Sequence, residues 1–464
     1  MERESKLQFR LGAFGKFVPI IVAVVFLVYA GIHQSNANGY IIAFFMAMIV
    51  GAVFTKTPDA YGEACVKGLT KPIFTIITMA IMLAAVCGKM VSGSGLIQTL
   101  AYYVIEAKFT GGMFAVCAFV ICCILSFSTG TSVGTNMITF PILFPVGVLA
   151  GVHPAFMAGA LVSGAIFGDN LAPISDTTIA SAGTQNAEMG NVVRTRMWYS
   201  LPVAGIAILL LLLFAGSKGA GSEVMADVVP DNRSLVMLLV PVSIIILCFR
   251  QIHLVVSLSV GALVSIIVGM ASGIYKLSDI FTFPGGFKVE GIFVTSINGT
   301  VSTIFMLFGI FCVIGIMEEA GVIRLAGEKM SRFAKNVQMT EVTIVGSIAV
   351  LSWLTGVVTV AIVSLGEIVA EMGEAAGINK YRRANLMDCG GLALGSIVPW
   401  SVHAIIPMQL ATANVEGLQL TLIDVVTHNF YALAMLVMLL VMIVTGFGRN
   451  MNPDEKKKVY KKGQ

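Results

Sequence analysis

From Phe109 to Gly168 the chain runs without a single Asp, Glu, Lys or Arg. A water-soluble fold carries roughly 25% charged residues spread over its surface. Only 12% of this chain is charged, against 57% hydrophobic. That much apolar surface cannot be hidden from water, so lipid must cover it. Further uncharged runs span Phe17–Thr55, Met197–Ser217, Ser234–Phe249, Gly291–Met317, Val342–Gly366, Cys389–Val415 and Val425–Gly448. At about 20 residues per crossing, these runs hold one span or more each. The expected fold class is therefore an all-α polytopic membrane protein. The basic start, Met1–Lys16, precedes an apolar stretch with no small-residue cleavage site, and reads as the approach to a retained first span. The eight Cys follow no paired or metal-ligand spacing and are assigned to packing.

Hydropathy marks fourteen segments, seven per half. They lie near 17–32, 40–54, 72–90, 112–127, 132–150, 156–169 and 198–214, then near 234–249, 253–271, 300–317, 341–354, 357–374, 386–398 and 428–447. A polar, Gly-containing link at 217–233 separates an N-terminal repeat, 1–216, from a C-terminal repeat, 234–448. A basic tail at 449–464 follows. A shift of 226 residues lays Ser126, Thr129 and Gly130 on Ser352, Thr355 and Gly356. It also lays Gly147, Gly151, Gly164, Pro173 and Ser175 on Gly373, Gly377, Gly390, Pro399 and Ser401. The matches fall on residues that set backbone shape.

Charge then predicts that the repeats are inverted. With the N-terminus in the cytoplasm, seven crossings per half put equivalent loops on opposite sides. Loop 318–340 holds Arg324, Lys329, Arg332 and Lys335, whereas its counterpart 91–111 holds Lys108 alone. Loop 376–384 holds Lys380, Arg382 and Arg383, whereas 151–155 holds none. Loop 186–197 holds Arg194 and Arg196, whereas 412–427 holds none. The basic member of each pair falls inside, as do both termini. Inverted repeats put a carrier's site near the bilayer midplane, at broken helices or re-entrant hairpins. Whether 112–150 and 341–374 are full spans or such hairpins leaves this parity unchanged.

Backbone that leaves a helix within oil must be buried or line a wet cavity. The stretch Ser126–Asn136 concentrates hydroxyls, with Thr129, Thr131, Ser132, Thr135 and Asn136 as candidate ion or substrate contacts. These are hard oxygen donors suited to a small alkali cation, although a small-residue helix crossing has the same composition. The stretch Gly164–Thr178 adds Asp169, Asn170, Ser175, Asp176, Thr177 and Thr178 around Pro173. A carboxylate at lipid depth is a functional candidate by default, and Asp169 and Asp176 are the expected sodium ligands. Asp176 is also well placed to begin the next helix. Asp388 and Glu367 complete the candidate set, while Glu371 and Glu374 read as interfacial partners of Lys380, Arg382 and Arg383. His403 reads as a structural histidine.

Phe167-Gly-Asp-Asn-Leu-Ala-Pro-Ile-Ser-Asp-Thr-Thr178 resembles the Gly-Asp-x-x-Ser-Pro-x-Ser-Asp-Thr-Thr signature of the NhaC-like sodium/proton antiporters. Thr131-Ser-Val-Gly-Thr135 is similar to that family's Thr-Ser-Trp-Gly-Thr, and Pro399-Trp400 to its Pro-Trp-Asn. Ala172, Val133 and Ser401 depart from the pattern. The resemblance implies sodium coupling and the fold of an inverted-repeat ion-transporter superfamily. Some of its relatives carry organic acids or amino acids, so it leaves the cargo open.

The expected function is exchange of Na+ for H+ across a bacterial cytoplasmic membrane. Protons and Na+ would compete for the same carboxylates. The alternative is Na+-coupled movement of a small carboxylate or amino acid, which a buried Arg at the site would favour. No cofactor is expected beyond Na+ as transported or coupling ion. The expected partners are the lipid bilayer, Na+ and H+, with a homodimer as a candidate assembly and no nucleic acid. A phosphate-binding loop is absent. The Gly168-Asp169 pair also looks like half of an intramembrane aspartyl protease centre, but Ile166 stands where that centre needs Gly, so an enzyme is not expected.

Overall fold

The computed structural model describes residues 7–33, 37–216, 230–415 and 417–454. The expected link at 217–233 lies outside the described residues as far as residue 229, and so does the basic tail from residue 455. In oil every backbone N–H and C=O must find its partner within its own segment, which makes the helix the default. The described residues are accordingly almost all helical. The first half contains α1 (Val18–Ile32), α2 (Ala37–Phe54), α3 (Pro58–Leu69), α4 (Pro72–Gly93), α5 (Leu96–Glu106), α6 (Gly112–Thr129), α7 (Ser132–Leu149), α8 (Pro154–Leu171), α9 (Asp176–Thr184) and α10 (Met189–Phe214). A 3-10 turn (Asn232–Leu238) leads into α11 (Leu239–Phe249) and α12 (Leu254–Ala271). A small antiparallel hairpin of β1 (Thr282–Gly285) and β2 (Lys288–Glu290) precedes α13 (Ile292–Glu319). The remainder is α14 (Val322–Ser331), α15 (Val337–Thr355), α16 (Val358–Ala375), α17 (Lys380–Ser396), α18 (Val402–Asn414), α19 (Leu422–Thr427) and α20 (Phe430–Thr445).

Each of the fourteen hydrophobic segments falls on a helix. The helices that hydropathy did not mark are α3, α5, α9, α14, α18 and α19, which are short or polar. Nine helices among the described residues are long and apolar enough to cross a membrane, and three shorter apolar ones join them. The expected segments at 357–374 and 386–398 belong to neither group, because α16 carries three Glu and α17 carries Lys380, Arg382, Arg383 and Asp388. α17 is a core helix instead. It is buried from Tyr381 to Ser396 and sheathed by α15, α16, α10 and α20, so its polar groups meet protein and not lipid.

The offset found in the sequence recurs in the backbone. α7 and α16 have the same length and the same bounds after the shift, and α8 and α17 begin at equivalent residues, as do α9 and α18. The left-handed glycines Gly95, Gly130 and Gly151 recur as Gly321, Gly356 and Gly377. At each hairpin tip the Gly N–H returns to a Ser carbonyl, Gly130 to Ser126 at 2.8 Å and Gly356 to Ser352 at 2.7 Å. The packing also cross-matches, since α7 lies on α18 and α9 on α16.

Glycine sets how closely helices approach where the site is built. A Cβ at Gly164 or Gly168 of α8 would run into the Phe119 or Cys123 carbonyl of α6. Small residues thus let the two backbones touch, the usual device where oil supplies no hydrophobic drive. Gly68 of α3 and Gly315 of α13 meet in the same way. At the tip, Gly130 has φ +66°, and a Cβ there would lie 2.9 Å from the Ile174 carbonyl oxygen. The α6–α7 tip therefore rests directly on the break between α8 and α9.

Candidate functional site

Asp169 lies in the last turn of α8. Ala172 leaves the helix in an extended conformation, and Pro173, with no N–H, prevents the helix from resuming at once. Ser175 is again extended, and α9 starts at Asp176. This break faces the N-terminus of α7, where Thr131 caps the helix by accepting the Gly134 N–H at 3.2 Å. Asp169 Oδ2 accepts the Ser132 N–H at 2.9 Å and the Ser132 hydroxyl at 2.6 Å. Its Oδ1 accepts the Ser175 hydroxyl at 2.6 Å. Ser175 Oγ lies 3.0 Å from Thr177 Oγ1. Asp169, Ser132 and Ser175 are buried. The positive end of the α7 dipole and three donors thus hold the carboxylate without any cation.

Asp176 begins α9 from the rim of the same space. Its Oδ1 accepts the Thr177 N–H at 2.9 Å, and its Oδ2 accepts the Thr359 hydroxyl of α16 at 2.8 Å. Asp169 and Asp176 both line a cavity of about 80 Å³. Four helix N-termini converge on it: α7 through Thr131 and Ser132, α9 through Asp176 and Thr177, α16 through Val357 to Thr359, and α18 through Val402 and His403. No Lys or Arg lines it. Such a site offers a cation two carboxylates and several hydroxyl oxygens. Among the described residues, no group of three His, Cys, Asp or Glu side chains is placed to hold a metal ion. The chemistry is that of a hard, weakly bound cation, not of a transition-metal centre.

The other expected site residues lie elsewhere. Asp388 is not open to the cavity: its Oδ2 pairs with Arg196 Nη1 at 2.5 Å, with both side chains fully buried, and accepts the Thr178 hydroxyl at 3.0 Å. Arg196 Nη1 also donates to the Asn170 carbonyl and to Thr178, while its Nε donates to Asn385. Thr178, Asn170 and Asp388 therefore belong to a second buried network. The Asn170 side chain donates to Tyr431 at 2.8 Å, away from the cavity. Thr129 and Thr135 bond to each other at 3.2 Å. Asn136 is buried on α7 with neither side-chain atom partnered. Glu367 is exposed on α16 and outside the cavity lining.

Two charge readings change with these contacts. Arg196 is no loop residue, since α10 begins at Met189 and buries it. Of the expected interfacial pairs only Arg383–Glu374 forms, at 2.9 Å. Arg382 pairs instead with buried Glu341 at 2.9 Å, and Arg449 joins that Glu at 2.8 Å. Lys380 pairs with Asp454 at 2.9 Å. In each case a hydropathy window sees the charge but not its partner in a distant helix.

His403 and Thr359 are cavity residues that sequence reading passed over. His403 is buried, and its Nε2 lies 2.9 Å from Ser132 Oγ. The signal was its position two residues beyond Ser401, the repeat mate of Ser175. Thr359 had a weaker one, standing next to the Val358 that replaces Ser132.

Two larger cavities open at the far ends of the equivalent helices α7 and α16. One, about 690 Å³, is bounded by Pro145, Leu149, Lys89 and Asn414. The other, about 620 Å³, is bounded by Glu371, Ala375, Lys335 and Thr340. Neither contains the paired carboxylates.

The profile of the Na+/H+ antiporter family matches residues 6–217 and 232–447. The chain is 25% identical over 422 residues to the Na+/H+ antiporter NhaC of Alkalihalophilus pseudofirmus, covering 87% of this chain and 89% of that protein. It is 24% identical over 391 residues to the malate-2H+/Na+-lactate antiporter of Bacillus subtilis, covering 78% and 81%. Among solved structures, the YdaH transporter of Alcanivorax borkumensis aligns over 95% of this chain and 100% of that one, at 13% identity and a TM-score of 0.38.

Proposed function

The chain belongs to the Na+/H+ antiporter family and is a multi-pass membrane protein, and from that premise we propose that it exchanges Na+ for H+ at Asp169 and Asp176. The observation that carries this reading is two carboxylates sharing one small cavity with no basic side chain in its lining. Two like charges out of bulk water repel each other and lose their hydration. Either a bound cation or a proton relieves that cost. Each therefore excludes the other, and mutual exclusion at one site is what couples their movements. Ser132, Ser175, Thr177, Thr131 and Thr359 supply the remaining oxygens, and Na+ enters as cargo.

Two inverted halves, 1–216 and 234–448, would carry the site between two membrane faces. The repeated helix bounds, the paired glycine tips and the cross-matched packing support that division. The cavities at the far ends of α7 and α16 then serve as vestibules, one per face. In this arrangement both termini and loops 318–340 and 376–384 face the cytoplasm.

The four converging N-termini favour a second reading, Na+-driven movement of a small carboxylate or amino acid, because helix N-termini attract anions. The chain's own carboxylates already occupy those termini, and the one deeply buried Arg close by, Arg196, is committed to Asp388. Cation exchange is therefore the better supported. Purified protein in vesicles with a preset pH gradient decides. Sodium alone dissipates the gradient under the first reading, whereas a response that needs an added organic solute establishes the second.

A further inference from the structure

The contacts around Asp169 fix the direction of a hydrogen-bond chain. Asp169 Oδ2 is acceptor-only when ionised, so the Ser132 hydroxyl at 2.6 Å donates its one proton to it. The Ser132 oxygen then has only lone pairs to offer His403 Nε2 at 2.9 Å, so that ring nitrogen carries the hydrogen. His403 Nδ1 is left as the bare nitrogen, and it has no partner. The chain reads His403 to Ser132 to Asp169, with every hydrogen pointing toward the carboxylate.

We propose that His403 is a positioning residue that sets the preference of Asp169 for Na+ over H+. A protonated Asp169 would have to donate. Its Oδ2 already faces the Ser132 N–H and O–H. For Ser132 to accept instead, its hydroxyl must turn away, and the His403 N–H occupies the place it would turn to. His403 therefore makes protonation at Oδ2 costly, yet leaves that oxygen free to ligate a cation. Without the His403 donor, Ser132 rotates and the proton becomes the stronger competitor. Few other titratable groups bear on this chain. Asp176 shares the cavity; His253 caps α12, whose Leu254 lines it; and the Arg196–Asp388 pair bonds the Asn170 carbonyl. α18 itself carries no second titratable side chain, and α4 faces the cavity with Ile73, Ile76 and Ile77.

The inference rests on the exchange reading, and the test separates the two. In His403→Gln the amide nitrogen can stand where Nε2 stands and still donate to Ser132. In His403→Asn the shorter side chain cannot reach. The half-saturating Na+ concentration of the reconstituted full chain is measured from pH 5.5 to 8.5. His403→Asn should need about tenfold more Na+ at the acid end, the worth of about one hydrogen bond, and converge on the unaltered protein at the alkaline end. His403→Gln should follow the unaltered protein throughout. An equal rise at every pH in His403→Asn, or a His403→Gln profile matching His403→Asn, overturns the proposal. Asp169→Asn runs in parallel: retained Na+ response there discards the exchange site itself, whereas loss there with unshifted His403 variants discards the inference alone.

Discussion

Replacing Asp169 by Asn removes one negative charge while keeping nearly the same shape. The structure sets both sides of the outcome. Oδ2 accepts two hydrogen bonds, one from a backbone N–H that cannot turn away, so the Asn carbonyl oxygen must take that place. The new NH2 then faces Ser175, whose hydroxyl can rotate to accept it and donate on to Thr177. The folded state trades charge-assisted bonds for neutral ones, at about 1–3 kcal/mol. The cation loses far more. One full charge at about 4 Å in a site of effective dielectric about 20 is worth about 4 kcal/mol, or about a thousandfold in affinity. In vesicles, Asp169→Asn should give no Na+-dependent dissipation of a pH gradient at concentrations that saturate the unaltered protein. In detergent its unfolding should be only modestly shifted. Ordinary Na+ dependence in this variant would remove Asp169 from the site, and with it the argument from paired carboxylates.

Three further outcomes test other parts of the reasoning. Asp388→Ala leaves Arg196 charged and buried, so it should lower stability by about 3–5 kcal/mol in thermal unfolding, while Arg196→Met with Asp388→Leu recovers most of that loss; unchanged stability with lost transport would return Asp388 to the ion site. Gly130→Ala places a Cβ against the Ile174 carbonyl and should cost more than Gly151→Ala, which meets only the left-handed penalty of about 1–2 kcal/mol; equal unfolding shifts would argue against a tight tip-to-break contact. In a background without the eight native cysteines, Lys335→Cys and Lys380→Cys should react with an impermeant thiol reagent from the cytoplasmic side alone, and labelling of either from outside would overturn the proposed orientation.

Sixty residues without a charge were enough to assign the chain to a bilayer, because no packing can bury that much apolar surface in water. Gly130, Gly356, Pro173 and Pro399 marked the breaks, since left-handed turns and missing N–H groups act on their own few neighbours. Asp169 and Asp176 stood out as carboxylates beside such a break. What tertiary structure alone decided was the pairing. Asp388 looked as available as Asp169, yet Arg196 occupies it from α10. His403 looked inert, yet it reaches Ser132 across 271 residues of sequence. Glu341 drew no notice, yet it binds two Arg. Hydropathy and local backbone rules average over adjacent residues. Which buried charge is free depends on the face each helix turns to its neighbours, and close glycine contacts far along the chain set those faces.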